Sequence, residues 1–475
     1  MAVWLFSAVM LDNLFRNTLN MTIITMTRSR APSDSSVNET CPSSFVSFST
    51  ESSTSKTVDF PTWSLNFQHV IIGSYFFSFV PSHIVGLLFF KLEHWKWIIG
   101  ASFAMLSISS VLTPIMATAS SSLLIANRLI QGTLSGLTAP LLGKIAQQWF
   151  PKHEIISFTS FIYSATSLGI ALSYQLSGTL CEYGYAGRYW SLPFYFIGVV
   201  GFFWTLGWIF LVKDKPHQMS SITKEELDYI EQKHIDADRH DGEGDLANKP
   251  WFEIFHHTHF WAFFIGLFVL HWLALTLSME IPHYFNDVLG ITMQNFNGLI
   301  SSLPFITIFA TCLSTLLVSM CLNMAPSNIH RKVFVVIGLV LPSLSLLITT
   351  LFICHQAVSI AVLTFGFGFI GMAQHGLLAN HLELDFDRAP IIYGMGNMFA
   401  AVSGIISPIT TGHLVTNNQI NGWRTVFIVS AIVGTLGAVF FAVFGTVNNT
   451  RRKEERQDSN TTDVVSPVTI TINRV

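Results

Sequence analysis

Long stretches without a charged residue recur along nearly the whole chain, separated by short polar segments. The longest include residues 97–127, 288–330, 333–382 and 389–423. About 20 mostly apolar residues are enough for a helix to cross the hydrocarbon core of a bilayer. Strands of a membrane barrel are instead about ten residues long and alternate in polarity, and these stretches show no such alternation. The pattern therefore predicts membrane-spanning helices.

Polar breaks divide the longer stretches into twelve predicted helices. Their bounds are 3–26, 64–90, 97–117, 122–145, 155–181, 189–212, 260–285, 294–321, 333–353, 357–380, 391–414 and 424–446. We therefore predict an all-α membrane protein of twelve transmembrane helices in two pseudo-symmetric six-helix bundles. The expected parts are an N-terminal bundle (1–212) with an outer loop (27–62), a cytoplasmic linker (213–259), a C-terminal bundle (260–446) and a cytoplasmic tail (447–475).

An internal repeat supports the division into two halves. Trp190, Phe194 and Gly201 have the spacing W-x3-F-x6-G, and the same spacing recurs from Trp423 towards the end of the chain. Two halves repeated in the same orientation are typical of transporters, which hold their substrate between the halves near the midplane of the membrane.

The composition narrows the class of protein. Half of the residues are hydrophobic, 41 are Phe and only 11% are charged, whereas about 25% of the residues in a soluble domain are charged. Since so little charge cannot coat a water-facing surface, a soluble enzyme and a nucleic-acid-binding protein are excluded. The five Cys residues show no paired spacing, so neither a disulfide framework nor a metal site is expected. No P-loop or catalytic motif is visible, so we expect no enzyme and no cofactor.

The distribution of Lys and Arg predicts the orientation. Eighteen of the 25 basic residues fall in segments on the same side as both chain ends, and five fall on the other side. Because cytoplasmic loops carry the excess of Lys and Arg, both termini are expected in the cytoplasm. The outer loop contains Asn38-Glu39-Thr40, which makes Asn38 a predicted glycosylation site. A plasma membrane and a lysosomal or vesicular membrane both remain open.

Two arginines lie inside predicted helices. Arg16 is roughly 20 Å from the inner end of helix one, and Arg128 is roughly 9 Å from the outer end of helix four, at 1.5 Å per residue. Because the hydrocarbon core of a bilayer is about 30 Å thick, Arg16 and Arg128 are expected at a similar depth in its outer half. Two guanidinium groups can clamp a carboxylate or phosphate, so both residues are predicted to bind an anionic substrate. The alternative is a structural role, with either side chain snorkelling outward or bonding to backbone carbonyls.

Proton coupling has two candidate residues. Asp12 lies four residues before Arg16, a spacing that favours a local ion pair. It either neutralises Arg16 or gains and loses a proton as the substrate arrives. His271, near mid-depth in helix seven, either relays protons or makes a hydrogen-bonded packing contact.

Further polar residues are candidates for the transport pathway. Glu280, near the outer end of helix seven, is either a gate residue or an interfacial side chain. His381 and Glu383, at the inner end of helix ten, are candidates for a cytoplasmic gate. Asn397 follows Tyr393-Gly394-Met395-Gly396, where the glycines allow close helix contact, and its amide is a candidate substrate contact.

Several motifs, taken in order, resemble the anion–cation symporter family of the major facilitator superfamily. They are Leu14-Phe15-Arg16-Asn17-Thr18-Leu19, Gly73-Ser74-Tyr75-Phe76-Phe77, Arg128-Leu129-Ile130-Gln131-Gly132, Trp149-Phe150-Pro151, Glu280-Ile281-Pro282-His283-Tyr284-Phe285 and Asn380-His381-Leu382-Glu383. The resemblance runs nearly the whole length. It implies the major facilitator fold, transport by alternating access and coupling to protons or sodium ions.

Three positions depart from this family. Ser135 stands where the family has a membrane glutamate seven residues after the helix-four arginine. Ile72 and Leu270 stand where the vesicular glutamate branch has a histidine and an arginine. The chain is therefore expected nearer to the sialin and phosphate branches.

The sequence thus predicts a secondary active transporter of a small organic anion or phosphate, monomeric in the lipid bilayer and without a nucleic-acid partner. Two alternatives stay open. Loss of the helix-four acid also suits a non-transporting receptor or interaction protein that retains the fold. An uncoupled anion uniporter or channel would need no ion gradient.

Overall fold

The structure is a computed structural model. It describes residues 1–27, 41, 63–88, 94–151, 154–182, 190–219, 222–223, 225–227, 229, 255–291, 297–321, 328–384, 389–415 and 419–445. These residues contain twelve long helical segments, in the predicted order. They are α1 (Ala2–Thr27), α2 (Leu65–Leu88), α3 (Trp95–Ala119), α4 (Ser121–Trp149), α5 (Ile155–Glu182), α6 (Leu192–Leu211), α7 (Thr258–Leu275, a π-helical turn at Thr276–Glu280, then Ile281–Asp287), α8 (Asn297–Cys321), α9 (Asn328–Leu351), α10 (Gln356–Gly368 and Ile370–Leu384), α11 (Ala389–Ala401 and Ser403–Val415) and α12 (Gln419–Phe444).

Ten of the described segments are long and apolar enough to cross a membrane, and α1 and α4 are the two that fall short. Polar residues explain the difference, since α1 contains Asp12 and Arg16 and α4 contains Arg128 and Lys144. Both helices are nevertheless part of the bundle, because α1 packs along α5 and α4 packs along α2. The predicted fold class is confirmed. The domain division stays a prediction, because most of 213–259 and 447–475 lies outside the described residues.

The internal repeat corresponds to equivalent packing in the two halves. Gly201 of α6 faces Ser107 of α3, and Gly434 of α12 faces Ser343 of α9; a Cβ atom on either glycine would collide with the serine hydroxyl. Each hydroxyl donates to the carbonyl four residues earlier in its own helix. The matching glycines therefore mark one close helix contact that occurs once in each half.

Two close crossings join the halves. Along α5 and α8, a Cβ on Gly298 would lie 2.6 Å from the Cα of Gly178, so the two backbones touch. Along α2 and α11, Gly73 faces Pro408 and Gly404 faces Phe76. Because small residues let helix backbones approach closely, these crossings hold the bundles together beside a central space.

A disulfide bond connects Cys41, which precedes α2, to Cys354, which lies between α9 and α10. The two Cα atoms are 5.3 Å apart, and 313 residues separate the cysteines in the sequence. The expectation that no disulfide would form was wrong, because a spacing pattern detects only cysteines that are close in sequence. The hydroxyl of Tyr284, near the end of α7, donates to the carbonyl of Ile353 at 2.7 Å. We call this side of the bundle the disulfide end and the opposite side the linker end.

Candidate functional site

A cavity of about 100 Å³ lies between the two halves. Side chains of α1, α2, α4 and α5 line it from the N-terminal half, and side chains of α7 and α11 line it from the C-terminal half. The lining residues are Val9, Asp12, Asn13, Arg16, Phe76, Phe79, His83, Ser135, Thr138, Ala139, Leu142, Tyr163, Thr166, His271, Tyr393, Asn397 and Ala401. Such a position is where transporters of this architecture hold their substrate.

Arg16 provides the positive charge among the lining residues. Its Nη2 donates to Oδ1 of Asn13, one turn earlier on α1. The Nδ2 of Asn13 in turn donates to the carbonyl of Val9 at 2.8 Å. The guanidinium group also lies 5.9 Å from the centre of the Phe76 ring. These contacts leave donors of Arg16 directed at the cavity, where they can meet a carboxylate or phosphate.

Asp12 contacts helix α4 and not Arg16. Its carboxylate accepts a hydrogen bond from the hydroxyl of Ser135, and no Arg16 nitrogen lies within 4 Å of it. The local ion pair that the spacing favoured is therefore not formed. Ser135 is the residue that stands in place of the glutamate of the family motif, so the cavity has a carboxyl group on α1 and a hydroxyl group on α4.

Arg128 lies behind Arg16 and is outside the cavity lining. It is only 1% exposed, and its guanidinium group lies 5.1 Å from the centre of the Tyr75 ring. Its Nη1 donates to Oε1 of Gln131 at 3.0 Å, and its Nη2 donates to the backbone carbonyl of Arg16 at 3.2 Å. The two arginines therefore meet at one depth, as their positions predicted, but in this conformation Arg128 holds the backbone that carries Arg16.

The C-terminal half contributes neutral polar groups to the opposite wall. His271 lines the cavity, and its Nδ1 lies 3.0 Å from the carbonyl oxygen of Leu267. Asn397 also lines it and lies within hydrogen-bond distance of the Tyr393 hydroxyl. These groups can bind the polar parts of a cargo whose charge meets Arg16.

Contacts between the halves close the cavity on the side of the linker end. Nδ1 of His375 on α10 lies 2.9 Å from the hydroxyl of Ser160 on α5. Nε2 of Gln374 donates to the carbonyl of Tyr163 at 2.9 Å, and the rings of Tyr163 and Tyr393 lie 5.0 Å apart.

A second set of contacts closes the cavity on the side of the disulfide end. The hydroxyl of Tyr174 on α5 donates to the carbonyl of Ser278 on α7. Contacts between the halves therefore lie on both sides of the cavity in this conformation.

The predicted gate residues lie in different surroundings. Glu280 is fully buried beside His69 of α2, so it is not at a lipid–water interface. His381 stacks on Phe263, with 5.5 Å between ring centres. Glu383 lies in the last turn of α10, but its side chain lies outside the described part of the chain, as does the whole of Asn38.

Several polar lining residues were not predicted as site residues, among them His83, Tyr163 and Thr166. His83 lies in α2 with its Nδ1 3.1 Å from the carbonyl oxygen of Phe79. A histidine inside a membrane helix is by default a candidate for function, so its position alone was a usable signal. Tyr163 and Thr166 of α5 gave no such signal, because tyrosine and threonine are common in membrane helices that face no substrate. Within the described chain, no group of three His, Cys, Asp or Glu side chains is arranged to hold a metal ion.

Comparison with known proteins identifies the family. The profile of the Major Facilitator Superfamily matches residues 5–408. The chain belongs to the major facilitator superfamily. Within this superfamily it is 28% identical to human sialin over 399 residues, which are 82% of this chain and 77% of sialin. It is 27% identical over 421 residues to a putative inorganic phosphate cotransporter of Drosophila melanogaster, covering 85% of this chain and 78% of that protein.

Solved structures of the superfamily share the fold. The D-xylose–proton symporter superimposes with a TM-score of 0.65 at 14% identity, over 94% of this chain and 98% of that one. The resemblance to the anion–cation symporters is confirmed by the sialin and phosphate cotransporter relatives. The protein is thus an integral multi-pass membrane transporter and not an enzyme.

Proposed function

We propose that this transporter moves a small organic anion or phosphate by alternating access, with proton or sodium coupling. The observation that carries the proposal is that Arg16 is the single arginine among the lining residues of a cavity between the two halves. A guanidinium group there favours a negatively charged cargo. At about 100 Å³ the cavity is smaller than the roughly 300–1,000 Å³ of pockets for drug-sized ligands, which suits a small anion.

The two arginines have different roles in this proposal. Arg16 contacts the anion directly, with Asn397 as a neutral partner on the opposite wall. Arg128 adds positive charge from behind and fixes the backbone of Arg16 through the bond to its carbonyl oxygen. Movement of α1 relative to α4 would release that bond and bring Arg128 nearer to the cavity.

Coupling to protons is proposed to involve Asp12 and His271, which both line the cavity. An anion that neutralises Arg16 removes a positive charge from the vicinity of Asp12, and loss of a nearby positive charge favours the protonated carboxyl group. One anion and one proton would then occupy the cavity together. Sodium coupling is the alternative. The uptake assay described below distinguishes it from proton coupling by measuring uptake with and without sodium ions and at two pH values.

Orientation is proposed from two independent features. The excess of Lys and Arg on the side of both chain ends places the termini in the cytoplasm. The disulfide bond between Cys41 and Cys354 favours an oxidising compartment on the other side. Both the outside of the cell and the lumen of a lysosome or vesicle meet that condition.

The test is uptake of radiolabelled inorganic phosphate and of small carboxylates, such as lactate and glucuronate, into vesicles that contain the purified protein. We expect saturable uptake of at least one anion. Arg16→Ala should lower kcat/KM about 10- to 100-fold, because a hydrogen bond to a charged group contributes about 1.5–3 kcal/mol. Lys332→Ala is the matched control, because this half-buried lysine of α9 donates to the carbonyl of Ala442 and does not line the cavity.

The same assay separates the alternatives. Uptake that persists at full rate without a proton or sodium gradient indicates a uniporter or channel. Absence of uptake for every anion, at two pH values and with and without sodium, favours a receptor that retained the fold. Equal uptake by Arg16→Ala and the unmodified protein would contradict the proposed anion site.

The sequon tests the orientation. If 28–62 face the lumen or the cell exterior, Asn38 receives a glycan during synthesis. Treatment with an N-glycosidase should then increase the electrophoretic mobility of the protein expressed in animal cells. Asn38→Gln should already migrate at the position of the treated protein. A protein whose mobility does not respond to the enzyme would argue against the glycan.

A further inference from the structure

Three titratable side chains form a buried cluster that none of the proposed roles includes. Nδ1 of His69 on α2 lies 3.3 Å from Oε2 of Glu280 on α7, and both side chains are 0% exposed. The ring of His283, one turn further along α7, lies 5.2 Å from the ring of His69. Because α2 belongs to the N-terminal half and α7 to the C-terminal half, this contact joins the halves.

The cluster lies between the cavity and the disulfide end. Glu280 follows His271 by nine residues along α7, which corresponds to about 13 Å. His69 precedes Phe76 by seven residues along α2, or about 10 Å. Since His271 and Phe76 line the cavity, the cluster is a separate site on the way out of it. The disulfide end cannot open between α2 and α7 unless the contact between His69 and Glu280 breaks.

Few charges face the cluster from the surrounding helices. Thr411, on α11, lies beside the Glu280 carboxyl group, whose two oxygens have no hydrogen-bond donor among the described residues. Tyr174 of α5 bonds to α7 and contacts Asn20 of α1. The positive charge of Arg16 interacts electrostatically with the Tyr174 hydroxyl. Among the described residues, no Lys or Arg nitrogen lies within 4 Å of the Glu280 carboxylate.

The burial of the cluster limits its charge. An uncompensated buried charge destabilises a protein by several kcal/mol. One carboxyl and two imidazole groups are neutral as a set only when they hold one proton, either on the carboxyl or on one imidazole. The closed conformation therefore requires one proton in the cluster.

We propose that His69, Glu280 and His283 form a proton-binding site that holds the disulfide end closed while it carries one proton. The proposal rests on alternating access, and it assigns to this site the coupling of gate closure to proton uptake from the compartment at the disulfide end. The cavity residues then bind the anion, and the cluster decides when the gate above them closes.

The direction of the pH dependence follows from the proton count. In the open, hydrated conformation the groups have ordinary pKa values, about 6.5 for His and 4.3 for Glu. Above pH 7 the open cluster therefore carries one negative charge, and closing must take up a proton. The ratio of closed to open protein should fall up to tenfold per pH unit.

Glu280→Gln should reverse this direction. The cluster is then neutral without a proton, so the closed conformation persists at high pH. Acidification through about pH 6.5 protonates an imidazole in the open conformation and opens the gate. The paired substitution His69→Gln with His283→Gln leaves only the carboxyl group, so the midpoint of the wild-type response should move about two pH units downward.

The experiment measures the opening of the disulfide end without substrate. Spin labels are placed at S120C, between α3 and α4, and at L351C, at the end of α9; Ser120 is exposed and Leu351 is 77% exposed. The free cysteines Cys181, Cys312 and Cys321 are replaced by serine, and the disulfide is retained. Distances are recorded in lipid nanodiscs between pH 4 and pH 9.

Above pH 6.5 we expect the long-distance population to grow with rising pH in the unmodified cluster, to stay small in Glu280→Gln, and to be already large in the paired histidine variant, which titrates about two units lower. Below pH 6.5 the open forms of the unmodified cluster and of Glu280→Gln both take up a further proton, so both open on acidification. Asp287→Asn removes the other carboxyl group of α7 and should leave the response unchanged. A Glu280→Gln protein that opens on alkalinisation like the wild type overturns the proposal. The proposal is also overturned if the distance between the two spin labels in the protein with the unmodified cluster does not change with pH. This result is independent of the outcome of the uptake assay.

Discussion

A single hydroxyl group determines which proton chemistry the cavity can perform. Ser135 occupies the position of the glutamate in the family motif, and its hydroxyl donates a hydrogen bond to Asp12. Two carboxyl groups at this distance would share one proton, because both cannot ionise side by side. With one carboxyl group, the proposed proton exchange at this point of the cavity is assigned to Asp12 alone. The loss of the family acid is therefore compatible with coupling and does not by itself indicate a receptor.

Asp12→Asn tests this role. An amide keeps the shape of the side chain and still accepts a hydrogen bond from Ser135, but it cannot exchange a proton. Uptake should therefore lose its dependence on a pH gradient while anion binding is retained, as measured by radiolabelled uptake at equal and unequal pH across the vesicle membrane. Ser135→Ala is the control and should keep the dependence. An unchanged response to the gradient in Asp12→Asn would remove Asp12 from the coupling mechanism.

The depth of a single residue in the membrane was predictable from the sequence, but the direction in which its side chain points was not. Counting residues along α1 and α4 placed Arg16 and Arg128 at one level, and the bond between Arg128 and the carbonyl of Arg16 agrees with that. Which of them reaches the cavity depends on side-chain partners, here Gln131 and Tyr75 for Arg128. Those partners come from packing, which a charge pattern does not contain.

Glycines determine how closely the helices of the two halves approach each other. Where Gly298 of α8 crosses Gly178 of α5, there is no space for a side chain, and the neighbouring atoms belong to the backbone. Backbone atoms cannot move aside as the end of a flexible side chain can. This crossing, near the end of α5 and the start of α8, is therefore sensitive to a single methyl group.

Gly298→Ala should destabilise the protein by about 1–3 kcal/mol, the usual range for overpacking. Its Cβ would lie 2.6 Å from the Cα of Gly178 and 2.6 Å from the carbonyl oxygen of Tyr174. Thermal unfolding in detergent should show a lower Tm. Gly100→Ala is the matched control, since its Cβ would lie 3.3 Å from a side-chain atom of Ile209, which can adjust. Equal Tm values for the two variants would contradict the close crossing.

Helix number and order were predictable, whereas local irregularities were not. Mostly apolar runs predicted all twelve segments, including α1 and α4 with two charged residues each, because a membrane helix needs a long apolar run. The π-helical turn at Thr276–Glu280 left no trace in that pattern, yet it precedes the segment that carries His283. Helix α4 reaches Trp149, beyond the predicted residue 145, because a helix can continue past the apolar run that embeds it.

In the molecule as a whole, a disulfide bond connects the two halves, and the order of the helices along the chain gives no indication of it. The linker joins the halves in sequence near the linker end, and the Cys41–Cys354 bond joins them at the other end. The two halves therefore stay connected even when the linker is cut.

A cut linker tests that connection. A protease site inserted between residues 230 and 254 should allow complete cleavage of the purified protein. On a denaturing gel without reducing agent, the cut protein should migrate as one linked species, and with reducing agent as two fragments. Cys354→Ser should give two fragments under both conditions. Two fragments from the unmodified protein without reducing agent would contradict the disulfide.

The polarity of α1 has a consequence for how the chain is made. A charged residue at the centre of a helix disfavours insertion by about 2.5–3.5 kcal/mol, and α1, which precedes the other described helices in the chain, carries both Asp12 and Arg16. The partners of these charges lie on later helices, with Phe76 on α2 beside Arg16 and Ser135 on α4 bonded to Asp12. Ser135 is synthesised more than a hundred residues after Arg16. Biogenesis should therefore retain α1 at the insertion machinery, or beside a chaperone, until α4 has entered the bilayer.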